Sequence, residues 1–195
     1  MRIKTIEKAN EILKKIPGIT KKQAEKFTTF ILNQDLNFCE ELTQNILDIK
    51  TKMEFCQECN FIRENGKCLN CDEAIKNNTL MVVENITTLN KIDDMGIFLG
   101  FYFVLPFLIN VKEHARKEKE YEYNQLFDYI AKNNIKEVII VISPTLEGEI
   151  TTTHLLKLMA NKNIKASRAA IGLPMGSNLE YLDTFTIKQA IKNRN

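Results

Sequence analysis

Four of the chain's five cysteines fall within a sixteen-residue window, as two Cys-x-x-Cys pairs, Cys56/Cys59 and Cys68/Cys71. No other feature restricts the fold so tightly. A Cys-x-x-Cys turn brings two sulfurs to one end of a knuckle, and two knuckles joined by a short loop can close a tetrahedron of thiolates around Zn²⁺. The loop between them, residues 60–67, contains Asn65-Gly66, a pair suited to a hairpin reversal. Two other uses of paired cysteines compete. A redox Cys-x-x-Cys normally stands alone at a helix start, and a second copy so close is unusual. Disulfides belong to oxidising compartments, whereas the opening MRIKTIEKAN lacks the apolar region of a secretory leader. The reading is one structural zinc per chain. Four thiolates leave no open coordination position, and the metal folds a segment too short to bury its own core. Cys39, in LNFCEEL, stands apart and is expected to be a small buried residue.

The 195 residues, 44% hydrophobic and 27% charged, suit a folded soluble protein of one or two domains with room for a small module. The longest apolar stretch, residues 95–111, is interrupted by Gly100 and Pro106 and falls short of the ~20 residues a membrane span needs. No membrane partner and a cytoplasmic location are expected. A net charge of +2 does not argue for nucleic acid, but residues 1–30 hold eight Lys/Arg against three Asp/Glu. That excess is either a solvated face or a contact surface for phosphate.

TIEKANEILKKIPGITKKQAEKFTTFILNQ reads as two helices around a tight turn. Ile6, Ala9, Ile12, Leu13 and Ile16 recur at helical spacing. Pro17-Gly18 ends the first helix, and Thr20 caps a second whose apolar positions include Ala24, Phe27 and Ile31. Such a hairpin offers backbone N–H groups at a helix start, a natural phosphate site. Lys22 and Lys26 lie on one face of the second helix, with Gly18 and Lys21 beside them. The segment resembles the helix-hairpin-helix DNA-binding motif, which grips the sugar-phosphate backbone without reading bases. Thr20 stands where that motif carries a second glycine. The alternative is a plain helical hairpin serving as a dimerisation core. LNFCEELTQNILDIKTKMEF adds a third helix, with Leu42, Ile46, Leu47 and Ile49, leading into the cysteine knuckles.

Beyond the cysteines, strand and helix patterns alternate. TLMVVEN (79–85), FYFVLPF (101–107), EVIIVI (137–142) and IKASRAAIG (164–172) read as strands. ITTLNKIDDMG, EHARKEKEYEYNQLFDYIAKNN and the segment after SPTLEGE read as helices. This pattern predicts an α/β fold with a mostly parallel sheet, whose ligands gather at the strands' carboxyl ends. Glu84 closes the first strand, and Glu147 and Glu149 follow the third. Carboxylates so placed can hold Mg²⁺, and the arrangement resembles the Toprim domain of topoisomerases, primases and related nucleases. Here Glu147-x-Glu149 stands where that domain usually has Asp-x-Asp. The same three carboxylates can equally be solvated or meet a basic partner. His114 and His154 have no ligand or base partner in sequence and read as surface or packing residues. Arg168, Gly172, Pro174 and Gly176 read as structural.

The order of parts is specific: a helix-hairpin-helix region over 1–53, a Cys₄ module over 54–76, a Toprim-like α/β domain over 77–170, and a loop-and-helix tail over 171–195. With IPGITKKQAEKF, YFVL, PTLEGE and SRAAIGLPMGSNLEYLD in that order, the chain resembles the bacterial RecR family of recombination mediators across nearly its whole length. The resemblance implies a non-catalytic, sequence-independent DNA-binding factor in recombinational repair. Family members form rings, often tetramers, and act with RecO, and in many bacteria RecF, to load recombinase on single strands. It implies DNA contact by Lys22 and Lys26, metal binding by Cys56, Cys59, Cys68 and Cys71, partner contact at the face of Glu84, Glu147 and Glu149, and oligomerisation through the tail. Two departures stand out. The family's glycine-rich stretch after YFVL is replaced by PFLINVKEHARKEKEYEYNQLF, and Ile171 stands where a histidine is common. A Mg²⁺-dependent Toprim nuclease or primase-like enzyme, or a zinc-stapled protein-interaction module, are the competing functions.

Overall fold

The computed structural model describes residues 3–72, 76–112 and 121–193, which divide into two units, Met1–Met53 and Glu54–Asn195. The first is helical: α1 (Lys4–Leu13), α2 (Lys21–Leu32) and α3 (Leu36–Lys52). The α1–α2 turn is built as its sequence demands. The Ile19 N–H donates to the Ile16 carbonyl at 3.1 Å, and Gly18 sits at φ +84°, a left-handed conformation that glycine alone adopts without strain. Thr20 then starts α2 with a reciprocal cap: its N–H donates to Gln23 Oε1 at 2.7 Å, and its hydroxyl accepts from the Gln23 N–H. Asp35 caps α3 through the Phe38 N–H at 2.8 Å. Only Ala24 and Thr28 of these helices are buried, and α1 and α3 bury no residue. Cys39, expected in a core, is only half-buried, because α3 has no core in this unit to receive it.

The second unit is α/β. A short two-stranded sheet, β1 (Met53–Phe55) with β2 (Ile62–Glu64), frames the first knuckle, and α4 (Leu69–Asp72) follows the second. A four-stranded sheet comprises β3 (Thr79–Val83), β4 (Phe101–Val104), β5 (Glu137–Val141) and β6 (Ala166–Arg168) in the order β4-β3-β5-β6. Every pairing is parallel. Helices α5 (Ile86–Asp93), α6 (Asn124–Lys132) and α7 (Leu146–Asn161) cross between strands, and a 3₁₀ turn (Leu179–Tyr181) and α8 (Thr184–Lys192) complete the described chain.

Central β3 is apolar on both faces, as a strand covered on two sides must be. Leu80, Val82, Phe103, Val138 and Ile140 pack with Leu126 and Ile130 of α6 and Leu155 and Met159 of α7. Met81, Val83, Tyr102 and Val104 pack on the other face with Leu89 of α5. The strands stop short of their apolar runs: β4 ends at Val104, before Pro106, and β6 covers only Ala166–Arg168. The long helix expected over 113–134 is described only from Asn124, residues 113–120 lying outside the described residues with His114 among them. Tyr121 and Tyr123 are both buried while Glu122 between them is exposed. An i, i+2 alternation of that kind is extended chain, and it overrides the helical reading.

Candidate metal centre and nucleic-acid interface

The four knuckle cysteines converge. Their sulfurs all lie within 4.8 Å of one another, with Cys59–Cys68 at 3.6 Å and Cys56–Cys71 at 3.9 Å. A tetrahedral site with Zn–S bonds of about 2.3 Å has edges of about 3.8 Å, so the set fits a Cys₄ metal site. The chain between the knuckles is a tight hairpin. Asn65 and Gly66 take φ +50° and +79°, and Glu64 and Lys67 bridge antiparallel, the reversal that Asn-Gly favours. Cys56, Cys59 and Cys68 are buried. Burial pushes the Cys68 thiol up to about 11, and a hydrogen bond with Cys59 followed by burial pushes Cys71 further still. Such a set resists ionising alone and ionises readily around a cation, whose charge stabilises the thiolates. The Tyr129 hydroxyl of α6 lies 3.6 Å from the Cys71 sulfur.

In the helical unit, Lys21, Lys22 and Lys26 are exposed along α2. Lys21 Nζ sits 3.9 Å from Glu25 Oε1, whereas Lys22 and Lys26 enter none of the ion pairs found among the described residues. The cap engages the amides of Thr20 and Gln23. The Lys21 and Lys22 amides at the helix start are left without a protein partner among the described residues, where a helix presents its positive end. Thr20 thus fixes where α2 begins.

The three carboxylates at the carboxyl ends of the sheet do not assemble into one site. Glu84, after β3, accepts from the Ser143 hydroxyl at 2.6 Å and the Ser143 N–H at 3.2 Å, bridging the ends of two neighbouring strands. Glu149 accepts two hydrogen bonds from Arg168, at 2.8 Å and 2.5 Å, and this guanidinium holds its carboxyl below the usual range. Glu147, in the first turn of α7, is exposed. Among the described residues, only the four cysteines form a group of three or more His, Cys, Asp or Glu placed to share an ion. Gly148 lets α7 approach the β5 end, since a Cβ there would lie 2.0 Å from the Ser143 carbonyl oxygen. His154 is a packing residue, its Nε2 lying 2.8 Å from the Tyr121 carbonyl oxygen.

Sequence reasoning passed over four residues here: Ser143, Tyr129, Asn70, and the ion-pairing role of Arg168. The first was within reach, since Glu84 and Ser143 both follow strands that the pattern makes neighbours. The others depend on contacts 19 to 59 residues apart in the chain, which no local pattern carries.

An all-parallel sheet of this order, with acidic residues at its carboxyl ends and a Cys₄ knuckle module beside it, defines a Toprim-class α/β protein, and the Toprim domain family matches residues 78–170. The "RecR, C-terminal" family matches residues 172–195. The chain is 35% identical over 182 residues to the recombination protein RecR of Mycoplasmopsis pulmonis, covering 93% of each chain. It is 30% identical to that of Finegoldia magna, over 98% of this chain and 96% of the relative. To that of Francisella tularensis it is 34% identical, over 94% and 92%. The chain belongs to the RecR family of recombination proteins.

Proposed function

We propose that this protein is a non-catalytic recombination mediator of DNA repair in the cytoplasm. It grips duplex DNA without sequence preference and works with RecO, and with RecF where that protein is present, to help load recombinase on single strands. Lys22 and Lys26, with Lys21 and the Gly18 turn beside them, contact the phosphate backbone. Cys56, Cys59, Cys68 and Cys71 hold one structural Zn²⁺ per chain, and the face of Glu84, Glu147 and Glu149 meets protein partners. The observation that carries this reading is the α1–α2 hairpin, which offers unpaired lysines and unpartnered helix-start amides on one exposed surface, the chemistry that phosphate selects.

Several copies act together, as a ring that is most simply a tetramer. Ile12 is 65% exposed and Leu36 is 71% exposed, and no residue of α1 or α3 is fully buried. So much exposed apolar surface is the mark of an interface. The tail supports the same view, with Met175 and Tyr181 standing in solvent. Linked copies turn a few phosphate contacts per chain into strong retention. Native mass spectrometry with and without a short duplex tests this directly. The expected result is a multiple of the single-chain mass that gains one duplex. A strict monomer that ignores duplex in dilute buffer would sink it.

A further inference from the structure

Strand β4 is an edge strand, since β3 is its only neighbour in the sheet. In a parallel ladder alternate residues turn their N–H and C=O groups to each side. On β4, Leu105 just past the strand's end donates to the Val83 carbonyl of β3, so Phe101 and Phe103 share that side while Tyr102 and Val104 face outward. An uncovered edge of this kind invites pairing with another strand. Here it is not uncovered. The Asn70 side chain, inside the second knuckle, accepts the Tyr102 N–H at 2.8 Å and donates to the Tyr102 carbonyl at 2.7 Å. One residue pair further on, the Cys59 carbonyl accepts the Val104 N–H at 2.9 Å, and the Asn60 side chain donates to the Val104 carbonyl at 2.8 Å. Asn70 is itself buried.

We infer that the cysteine module serves as a surrogate neighbouring strand for β4, with Asn70 and Asn60 as positioning residues that transmit the state of the metal site to the edge of the Toprim sheet. Asn60 and Asn70 each sit directly beside a metal-ligating cysteine in sequence, Asn60 after Cys59 and Asn70 before Cys71. Asn60 holds φ +59°, a left-handed conformation asparagine tolerates better than most residues, and Gln125 Nε2 of α6 steadies its side chain through Asn60 Oδ1 at 2.9 Å. The module therefore matches β4 only while both knuckles keep their shape, and it is too small to keep that shape without its metal. With metal bound the edge is closed to strand addition. Without it, the outward groups of Tyr102 and Val104 are released.

This inference rests on the reading of the four cysteines as a metal site, so the test begins with the zinc content of the purified protein. Amide hydrogen exchange is then followed residue by residue in the zinc-loaded protein and after chelation under reducing conditions. Removing zinc should speed exchange of the Tyr102 and Val104 amides at least tenfold and leave Val82 and Ile140, on the central strands, unchanged. In zinc-loaded protein, Asn70→Ala should release Tyr102 alone. Asn70→Asp, which keeps the accepting oxygen and loses the donor, should leave the Tyr102 amide protected. If Asn70→Ala does not fold, chelation of the wild type and Asn70→Asp still decide the matter. A chain purified without zinc would end the metal reading itself. A zinc-containing chain whose β4 amides ignore chelation would overturn this inference alone.

Discussion

Reversing the charge of Lys22 and Lys26 together tests the proposed DNA-gripping surface quantitatively. The two residues are four apart on α2, about 6 Å along the helix axis at 1.5 Å per residue. Phosphates of one strand recur about every 3.4 Å along the duplex axis, so a span of that length can reach two of them. Each hairpin can therefore neutralise two phosphates, contributing a slope of about 1.8 to the dependence of log affinity on log salt, or about a twelvefold loss between 50 and 200 mM. Removing both contacts at 50 mM forfeits about 200-fold in affinity per engaged hairpin from counterion release alone, before any repulsion from the new carboxylates. The assay is fluorescence anisotropy of a labelled duplex across a salt series, with circular dichroism to confirm the fold. Lys22→Glu with Lys26→Glu should weaken binding and flatten the slope by about 1.8 for each hairpin that engages the duplex. Lys21→Glu should do less, because Lys21 already faces Glu25 at 3.9 Å. A double variant with unchanged slope and affinity would refute the assignment, whatever its effect on repair in cells.

Two further outcomes follow from the α/β unit. Because Arg168 depresses the Glu149 carboxyl, the pair's stabilisation is present above the ordinary glutamate value of about 4.3 and is lost as pH falls through the lowered folded value. Arg168→Ala should thus cost about 1–3 kcal/mol at pH 7, with the gap from wild type closing in acid. Urea unfolding at both pH values reads it, and a gap that persists in acid would contradict the linkage. Gly148→Ala should cost about 1–3 kcal/mol or more by overpacking, because its Cβ would lie 2.0 Å from a backbone oxygen. A thermal midpoint matching wild type would show that the α7–β5 junction is looser than its geometry implies.

Local chemistry made much of this legible in the sequence. The knuckle spacing anticipates the sulfur cluster, Asn65-Gly66 anticipates the hairpin, Pro17-Gly18 and Thr20 anticipate the α1–α2 turn, and the alternation of apolar runs anticipates a parallel sheet. What failed did so for identifiable reasons. Tyr121 and Tyr123 sit in a stretch with helical composition, yet their burial at i, i+2 is decided by Phe107, with which both rings make contact. Cys39 looked like a core residue because free cysteines usually are, but α3 buries none of its residues. Glu84 directly follows β3, whereas Glu147 and Glu149 lie past β5 in the first turn of α7, and what each one meets was not written in any local pattern. Glu149 is answered by an arginine 19 residues away and Glu84 by a serine 59 residues away.

Those partners bear on whether the three acids of this Toprim sheet can share a metal ion. A Mg²⁺ ion held by all three acids would need Glu149 released from Arg168, breaking two charge-assisted hydrogen bonds worth about 1.5–3 kcal/mol each and leaving a guanidinium beside the cation. It would also need Glu84 withdrawn from Ser143, uncoupling the ends of β3 and β5. A basic side chain from a partner protein makes neither demand. It can meet Glu147, whose carboxylate has no hydrogen bond or ion pair among the described residues, and can add to the outer lone pairs of Glu84 without displacing Ser143. On the proposed reading, the sheet whose end contacts would have to be broken to coordinate a metal can meet a cationic partner with the Arg168–Glu149 and Ser143–Glu84 contacts intact.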